Sequence, residues 1–254
     1  MERFLEVYGT LPRAGPGSNE LTRRAFQSLA DLPSSPRILD VGCGPGMQTI
    51  ELLRLSAGDV VALDLLPEMI SRVRDAANSA GVSDRLTTIE MDMQAMNFPP
   101  SSFDVIWSEG AIYLIGFEAG LTRFRPLLQP GGYVAVSEVV WLKPDPPAEL
   151  VSFWNEYPEI DFIEKKLDVI ARTGYEWIDH FVFPPSAWTD HYYGPLENRI
   201  AEESGEWAGI PDAEAILEAA RNEIRMFREH ADYYSYAFFV MRKRSDADRS
   251  PEQT

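Results

Sequence analysis

The stretch Ile38-Leu39-Asp40-Val41-Gly42-Cys43-Gly44-Pro45-Gly46-Met47-Gln48-Thr49 constrains this chain more than any other. An apolar run of strand length stops at three alternating glycines, and a segment with apolar residues at Ile50, Leu52, Leu53 and Leu55 follows. Strand, glycine turn, helix is the opening of a βαβ unit. Glycines at that turn let backbone N–H groups and a helix N-terminus approach a ligand with no Cβ in the way. Two phosphate-binding patterns fit poorly: the dinucleotide fingerprint wants its third glycine where Met47 stands, and no Gly-Lys-Ser/Thr follows. Taken alone, the glycines have a structural tight turn as their alternative reading.

The pattern then repeats. Asp59 to Leu63 reads as a second buried strand ended by Asp64, Pro67 suits the first turn of a helix with an apolar face at Met69, Ile70, Val73, Ala76 and Ala77, and Gly81 suits its stop. Strands follow at 86–91, 103–107 and 133–139, with a helix around Leu121 to Leu128 and a turn at Pro130-Gly131-Gly132. Strands alternating with helices at this spacing predict a doubly wound, mostly parallel sheet. The rhythm changes after Trp141. An amphipathic helix is expected over 161–173, a strand over 176–183, a long helical insertion over 184–230 and a last strand over 234–241. We therefore expect an N-terminal extended arm (1–17), a core (18–143) whose first helix is capped by Ser18, additions completing the sheet and covering a substrate (144–244), and a flexible tail (245–254).

With 45% apolar and 25% charged residues the chain is an ordinary globular one. Its 23 Lys and Arg against 40 Asp and Glu give a formal charge of −17, which repels phosphate backbones and anionic lipids. No nucleic-acid partner is expected, no membrane partner either, and the lack of a signal-like start or a second cysteine predicts a cytoplasmic address. The three histidines are far apart and lack zinc-site spacing, so no metal is expected.

Asp64 ends the second strand about 20 residues after the loop, where an acidic side chain can accept from both ribose hydroxyls of a nucleoside. Capping the helix at Pro67 is its alternative role. Asp92, at the end of the third strand, is placed to accept from an adenine amino group while Met93 packs on the ring. Ligands of open α/β sheets sit beyond the carboxyl edge, so three acidic strand ends in one crevice weigh more than any one of them.

On these residues, together with Phe103-Asp104-Val105-Ile106-Trp107-Ser108 and Leu127-Leu128-Gln129-Pro130-Gly131-Gly132, the segment from Ile38 to Val139 resembles the class I S-adenosylmethionine-dependent methyltransferases of the small-molecule, quinone-biosynthesis-like type. The resemblance implies an α/β, Rossmann-like fold with a seven-stranded sheet whose last strand is antiparallel. It implies S-adenosylmethionine as cofactor, with Asp40, Gly42, Cys43, Gly44, Gly46 and Gln48 around the methionine part, Asp64 and Leu65 at the ribose, Asp92 and Met93 at the adenine, and Ser108 near the sulfonium. Cys43 reads as packing, since no histidine stands near it in sequence.

Methyl transfer from a sulfonium is an in-line displacement, and a base is needed only where the acceptor must lose a proton. Glu109, directly after Ser108, is the first candidate, Tyr113 lies one helical turn beyond it, and His191 sits in an aromatic stretch of the insertion. The aromatic residues Trp141, Trp154, Tyr157 and Trp188 would suit a cationic or aromatic small-molecule acceptor, or simply pack the additions onto the sheet. The competing functions are a nicotinamide- or flavin-dependent oxidoreductase on a similar sheet and a non-catalytic S-adenosylmethionine-binding module. Oligomeric state is not legible.

Overall fold

A computed structural model describes residues 2–245. In chain order the elements are α1 (Glu2–Tyr8), α2 (Asn19–Gln27), β1 (Arg37–Val41), α3 (Met47–Leu55), β2 (Asp59–Asp64), α4 (Pro67–Ala80), β3 (Leu86–Glu90), β4 (Phe103–Ser108), α5 (Phe117–Phe124) and β5 (Leu128–Trp141). They continue with α6 (Ala148–Phe153), β6 (Asp161–Phe162), α7 (Ile163–Arg172), β7 (Tyr175–Val182), α8 (Pro185–Trp188), α9 (Gly194–Glu206), α10 (Pro211–His230) and β8 (Tyr234–Lys243).

The sheet order is β3-β2-β1-β4-β5-β8-β7, with the two-residue β6 beside the end of β5. β8 runs antiparallel to both its neighbours, and the pairings among β1 to β5 are parallel. The seven strands and the reversed last one expected from the resemblance are therefore present. Between β1 and β4 the strand order switches direction, which opens a crevice at their carboxyl ends.

The strands are apolar along their length because both faces are covered. Leu39, Val41, Ile106, Val134 and Phe239 belong to one buried cluster, while Ile38, Val60, Val105, Ala135 and Phe238 belong to the other. Helix boundaries follow local chemistry. Ser18 Oγ accepts from the Leu21 N–H at 3.2 Å and starts α2; Gly81, at φ +67°, ends α4.

Four expectations need correction. The segment before Ser18 is not an extended arm: Glu2–Tyr8 is helical and contacts α9 and α10, with Val7 fully buried, and residues 9–17 follow in turns and bends; tertiary packing sustains a helix too short to persist alone. The helix placed at 121–128 is α5, which lies earlier. β5 starts at Leu128 and takes Pro130-Gly131-Gly132 into itself: the pairing jumps from Phe103↔Leu128 to Val105↔Tyr133, a bulge that accommodates Pro130 and Gly131 at φ +73°. Residues 161–162 pair with β5 rather than opening α7. The insertion over 184–230 is helical, as expected, and includes a π-helical turn at Thr189–Tyr193. Of the tail, residues 246–254 lie outside the described residues.

Candidate active site

Gly42, Gly44 and Gly46 all have positive φ, at +71°, +52° and +91°. The N–H groups of Gly42 and Cys43 both donate to the Leu63 carbonyl at 2.9 Å, which pins the loop to the tip of β2. A Cβ on Gly42 would come within 2.5 Å of the Ala111 Cβ, so this loop cannot pass under the end of β4 with a side chain. Gln48 Nε2 donates to the Cys43 carbonyl at 2.9 Å and closes the turn. The Cys43 thiol is buried and pushed up, first by burial and then by Asp40 and Asp64, which leaves it a packing group rather than a thiolate.

Asp40 is fully buried beneath the loop. Its Oδ2 accepts from Thr49 Oγ1 at 2.6 Å, and its Oδ1 has no partner. Burial, reinforced by Glu109 and Asp64 against the opposing bonds from Thr49 and Gln48, pushes its pKa up to about 7. Asp64, on the neighbouring tip, accepts from the Gly44 N–H at 2.8 Å and the Leu66 N–H at 3.0 Å, one on each oxygen, leaving each a second lone pair. Leu65 beside it is 61% exposed. Asp92 is exposed and caps the short turn at Met93–Ala95 through the Gln94 N–H at 2.7 Å, while Met93 is buried against the glycine loop. Ser108 Oγ donates to the Val41 carbonyl at 2.9 Å and locks the tips of β4 and β1 together.

A buried, unpartnered carboxylate oxygen asks for a donor, and a Cβ-free cradle beside it asks for a ligand in close contact. S-adenosylmethionine, with an ammonium, a ribose diol and a purine amine to donate, fits this acceptor-rich set of strand tips.

The three candidate bases are scattered. Glu109 is 4% exposed and enclosed: Oε2 accepts from Arg13 Nη1 at 3.1 Å, and Oε1 accepts from Thr22 Oγ1 at 2.6 Å and Trp107 Nε1 at 2.9 Å. Arg13 in turn donates to Asn19 Oδ1 at 2.8 Å. Glu109 thus anchors the arm to the end of β4, and Ala14 of that arm comes to lie over Gly44. His191 is exposed on the π-helical turn. Tyr113 stands at the crevice, 42% exposed, its ring edge-on to Tyr157 at 5.8 Å.

Sequence reasoning missed two further acids. Glu138 of β5, wholly buried, accepts from Lys166 Nζ at 2.7 Å and from the Tyr157 hydroxyl. Burial raises its pKa, and Lys166 acts against that rise. Glu223 of α10 is ringed by tyrosines, with a pKa pushed up to about 7 by burial while the Tyr192 and Tyr193 hydroxyls favour its charged form. Both were detectable in principle. Glu138 interrupts the apolar run Val134 to Val140, and Glu223 shares a helical stripe with Ala220, Ile224 and Phe227. The aromatic set divides: Trp188 is buried core, stacked on Phe227 at 4.5 Å, whereas Tyr157 lies beside Tyr113.

The fold is that of the class I methyltransferases, and residues 38–132 match the family model described as a methyltransferase domain. A sterol 24-C-methyltransferase of Gibberella zeae is 32% identical over 110 residues, 43% of this chain and 28% of that protein. The 27-O-demethylrifamycin SV methyltransferase of Amycolatopsis mediterranei is 29% identical over 131 residues, 50% of this chain and 48% of its own length. The chain thus spans less than half of these curated relatives. Over its whole length it superposes on a solved methyltransferase from Geobacter sulfurreducens, held there in complex with S-adenosyl-L-homocysteine, at TM-score 0.84 and 17% identity, covering 96% of this chain and 98% of that one. Among the described residues no helix is long and apolar enough to cross a membrane.

Proposed function

We propose that this protein transfers a methyl group from S-adenosylmethionine to a small-molecule acceptor. One observation carries the reading: three neighbouring strand tips present carboxylates around a loop with glycine at every second position, and the buried Asp40 Oδ1 among them has no partner. When bound, the cofactor supplies an electrophilic methyl on its sulfonium. Asp40 and the loop from Gly42 to Gln48 would hold its methionine portion, Asp64 the ribose hydroxyls, Asp92 the adenine amine, and Met93 and Leu65 the ring faces. Ser108, by tying β4 to β1, sets where Glu109 and Gly110 stand relative to that cradle.

In-line displacement gains most from holding the acceptor in near-attack geometry, a contribution of ~7–11 kcal/mol in favourable cases. Residues 144–244 serve as the substrate cap, and the segment through Arg13 and Ala14 serves as a lid on the cofactor side. Because both Glu109 oxygens are engaged, we assign Glu109 to anchoring that lid; His191, on an exposed turn, takes no part in proton transfer, and Tyr113 is a wall of the acceptor side. The Tyr113 and Tyr157 ring faces there favour a cationic or aromatic acceptor, at ~0.5–2 kcal/mol per ring.

The test is release of S-adenosylhomocysteine across a panel of amines, phenols and thiols. Release with one chemical class supports the reading. Folded protein that binds S-adenosylhomocysteine but turns over no member of any class would leave it a binding module instead.

A further inference from the structure

Glu223 is a buried acid without a counter-charge. No ion pair joins it to a basic side chain among the described residues, and no cation contributes to its ionisation. It is close enough to Tyr8, Tyr113, Tyr192, Tyr193, Tyr234 and Tyr236 to raise the pKa of each. These side chains come from α1, the turn after β4, the π-helical turn and the start of β8, so five elements including α10 converge on one carboxylate.

Two independent observations say that this convergence encloses a ligand site rather than solid core. The hydroxyl of Tyr234, on a side chain 0% exposed, is buried with no hydrogen-bond partner. Orphaned buried hydroxyls are costly, at roughly 1–3 kcal/mol each, and mark a place where a partner belongs. Glu223, Tyr236 and Tyr113, by contrast, retain accessible surface, so the cluster is open to a ligand on that side.

This cluster adjoins the end of β4. Tyr236 pairs across from Val139 near the carboxyl end of β5, and its ring lies 3.6 Å from where a Cβ on Gly110 would stand, directly after Glu109 at the tip of β4. A ligand held at Glu223 therefore reaches past Tyr236 toward the cofactor side of the sheet.

We propose that Glu223 is the specificity-determining residue of the acceptor site and selects a small organic ammonium, its carboxylate pairing with the cation while the surrounding tyrosines supply ring faces and hydroxyls. The proposal rests on the methyl-transfer reading above and narrows its acceptor class. An unpaired carboxylate in a low-dielectric, aromatic-walled chamber discriminates against anions and neutral isosteres, since only a cation relieves its isolation. Ring faces add attraction for the same charge.

The experiment is calorimetric titration of the full chain, first saturated with S-adenosylhomocysteine, using choline and benzyltrimethylammonium as probes and 3,3-dimethylbutan-1-ol as the neutral isostere of choline. These quaternary ammonium probes report binding without turnover. Expected are binding of at least one ammonium, no measurable binding of the alcohol, and at least a tenfold loss of ammonium affinity in Glu223→Gln with S-adenosylhomocysteine affinity unchanged. The groups whose ionisation Glu223 shifts are tyrosines with raised pKa values. Ammonium affinity should therefore rise about tenfold from pH 6 to pH 8 in the wild type, as a single acid near 7 deprotonates, and stay flat in Glu223→Gln. Tyr234→Phe, which removes an orphaned hydroxyl without altering charge, should weaken ammonium binding severalfold and keep the pH dependence. Equal ammonium affinity in wild type and Glu223→Gln overturns the proposal, as does failure of the loaded protein to bind either ammonium. Failure to bind S-adenosylhomocysteine at all instead overturns the methyl-transfer reading beneath it.

Discussion

Replacing Arg13 by Met tests whether Glu109 is an anchor or a base. The pair it forms with Glu109 is nearly dry, its side chains 7% and 4% exposed, with a 3.1 Å separation. Removing one partner from a buried pair leaves the other charge unpaired, at a cost of ~3–5 kcal/mol. Glu109 keeps its bonds from Thr22 and Trp107, which places the effect toward the lower figure. Arg13 also stands on a segment that can peel away while the sheet stays folded, so the loss should appear as local opening. At 1.4 kcal/mol per tenfold, ~3 kcal/mol corresponds to roughly a hundredfold rise in the open population. Limited proteolysis of the arm under native conditions reads that population, and titration with S-adenosylhomocysteine reads its consequence for the cradle beneath Ala14. Glu109→Gln should reproduce both effects, and the double variant should cost much less than the sum. A base would behave otherwise: Glu109→Gln would leave proteolysis and S-adenosylhomocysteine affinity untouched. That result, or additive single effects, would refute the anchor assignment.

Other consequences follow from single contacts. Gly42→Ala forces a Cβ to 2.5 Å from Ala111 at φ +71°, so it should destabilise by ~1–3 kcal/mol or more and abolish S-adenosylhomocysteine binding, as checked by thermal melting with and without ligand. Lys166→Met strands Glu138 in the core and should cost ~3–5 kcal/mol in urea unfolding, much of it recovered by adding Glu138→Gln. The raised pKa of Asp40 means that the folded state holds a proton that the unfolded state has released between pH 4 and about 7. Its contribution to stability is present below the unfolded value near 3.8 and is lost as pH rises through about 7, an upper bound on the order of 4 kcal/mol. Asp40→Asn should flatten that part of the stability curve between pH 5 and pH 8, whereas Glu223 should keep its own share.

The sheet was legible because its signals are local. Apolar runs ending in Gly42 and Asp64, a proline at the start of α4 and a glycine at its end each specify a boundary by backbone chemistry alone. The glycine loop was legible from its own residues, although the bonds that pin it come from Leu63 and Asp64 of β2. What was not legible depends on contacts distant in sequence. Glu109 looks like a free acid until Arg13 and Thr22, 96 and 87 residues away, are brought to it. α1 was obscured by the glycines and prolines that follow it and is held in place by α9 and α10. Glu223 was overlooked because a long helix with many charges reads as a solvated face, although its position between Ala220 and Phe227 carried the warning.

The most direct measurement is calorimetry of S-adenosylhomocysteine against the wild type and Asp64→Ala. Our account predicts one site per chain in the wild type and at least a tenfold loss in the variant, since Asp64 pins Gly44 and is the residue proposed to receive the ribose. A folded wild-type protein giving no heat, or a variant binding as tightly as the parent, would contradict it.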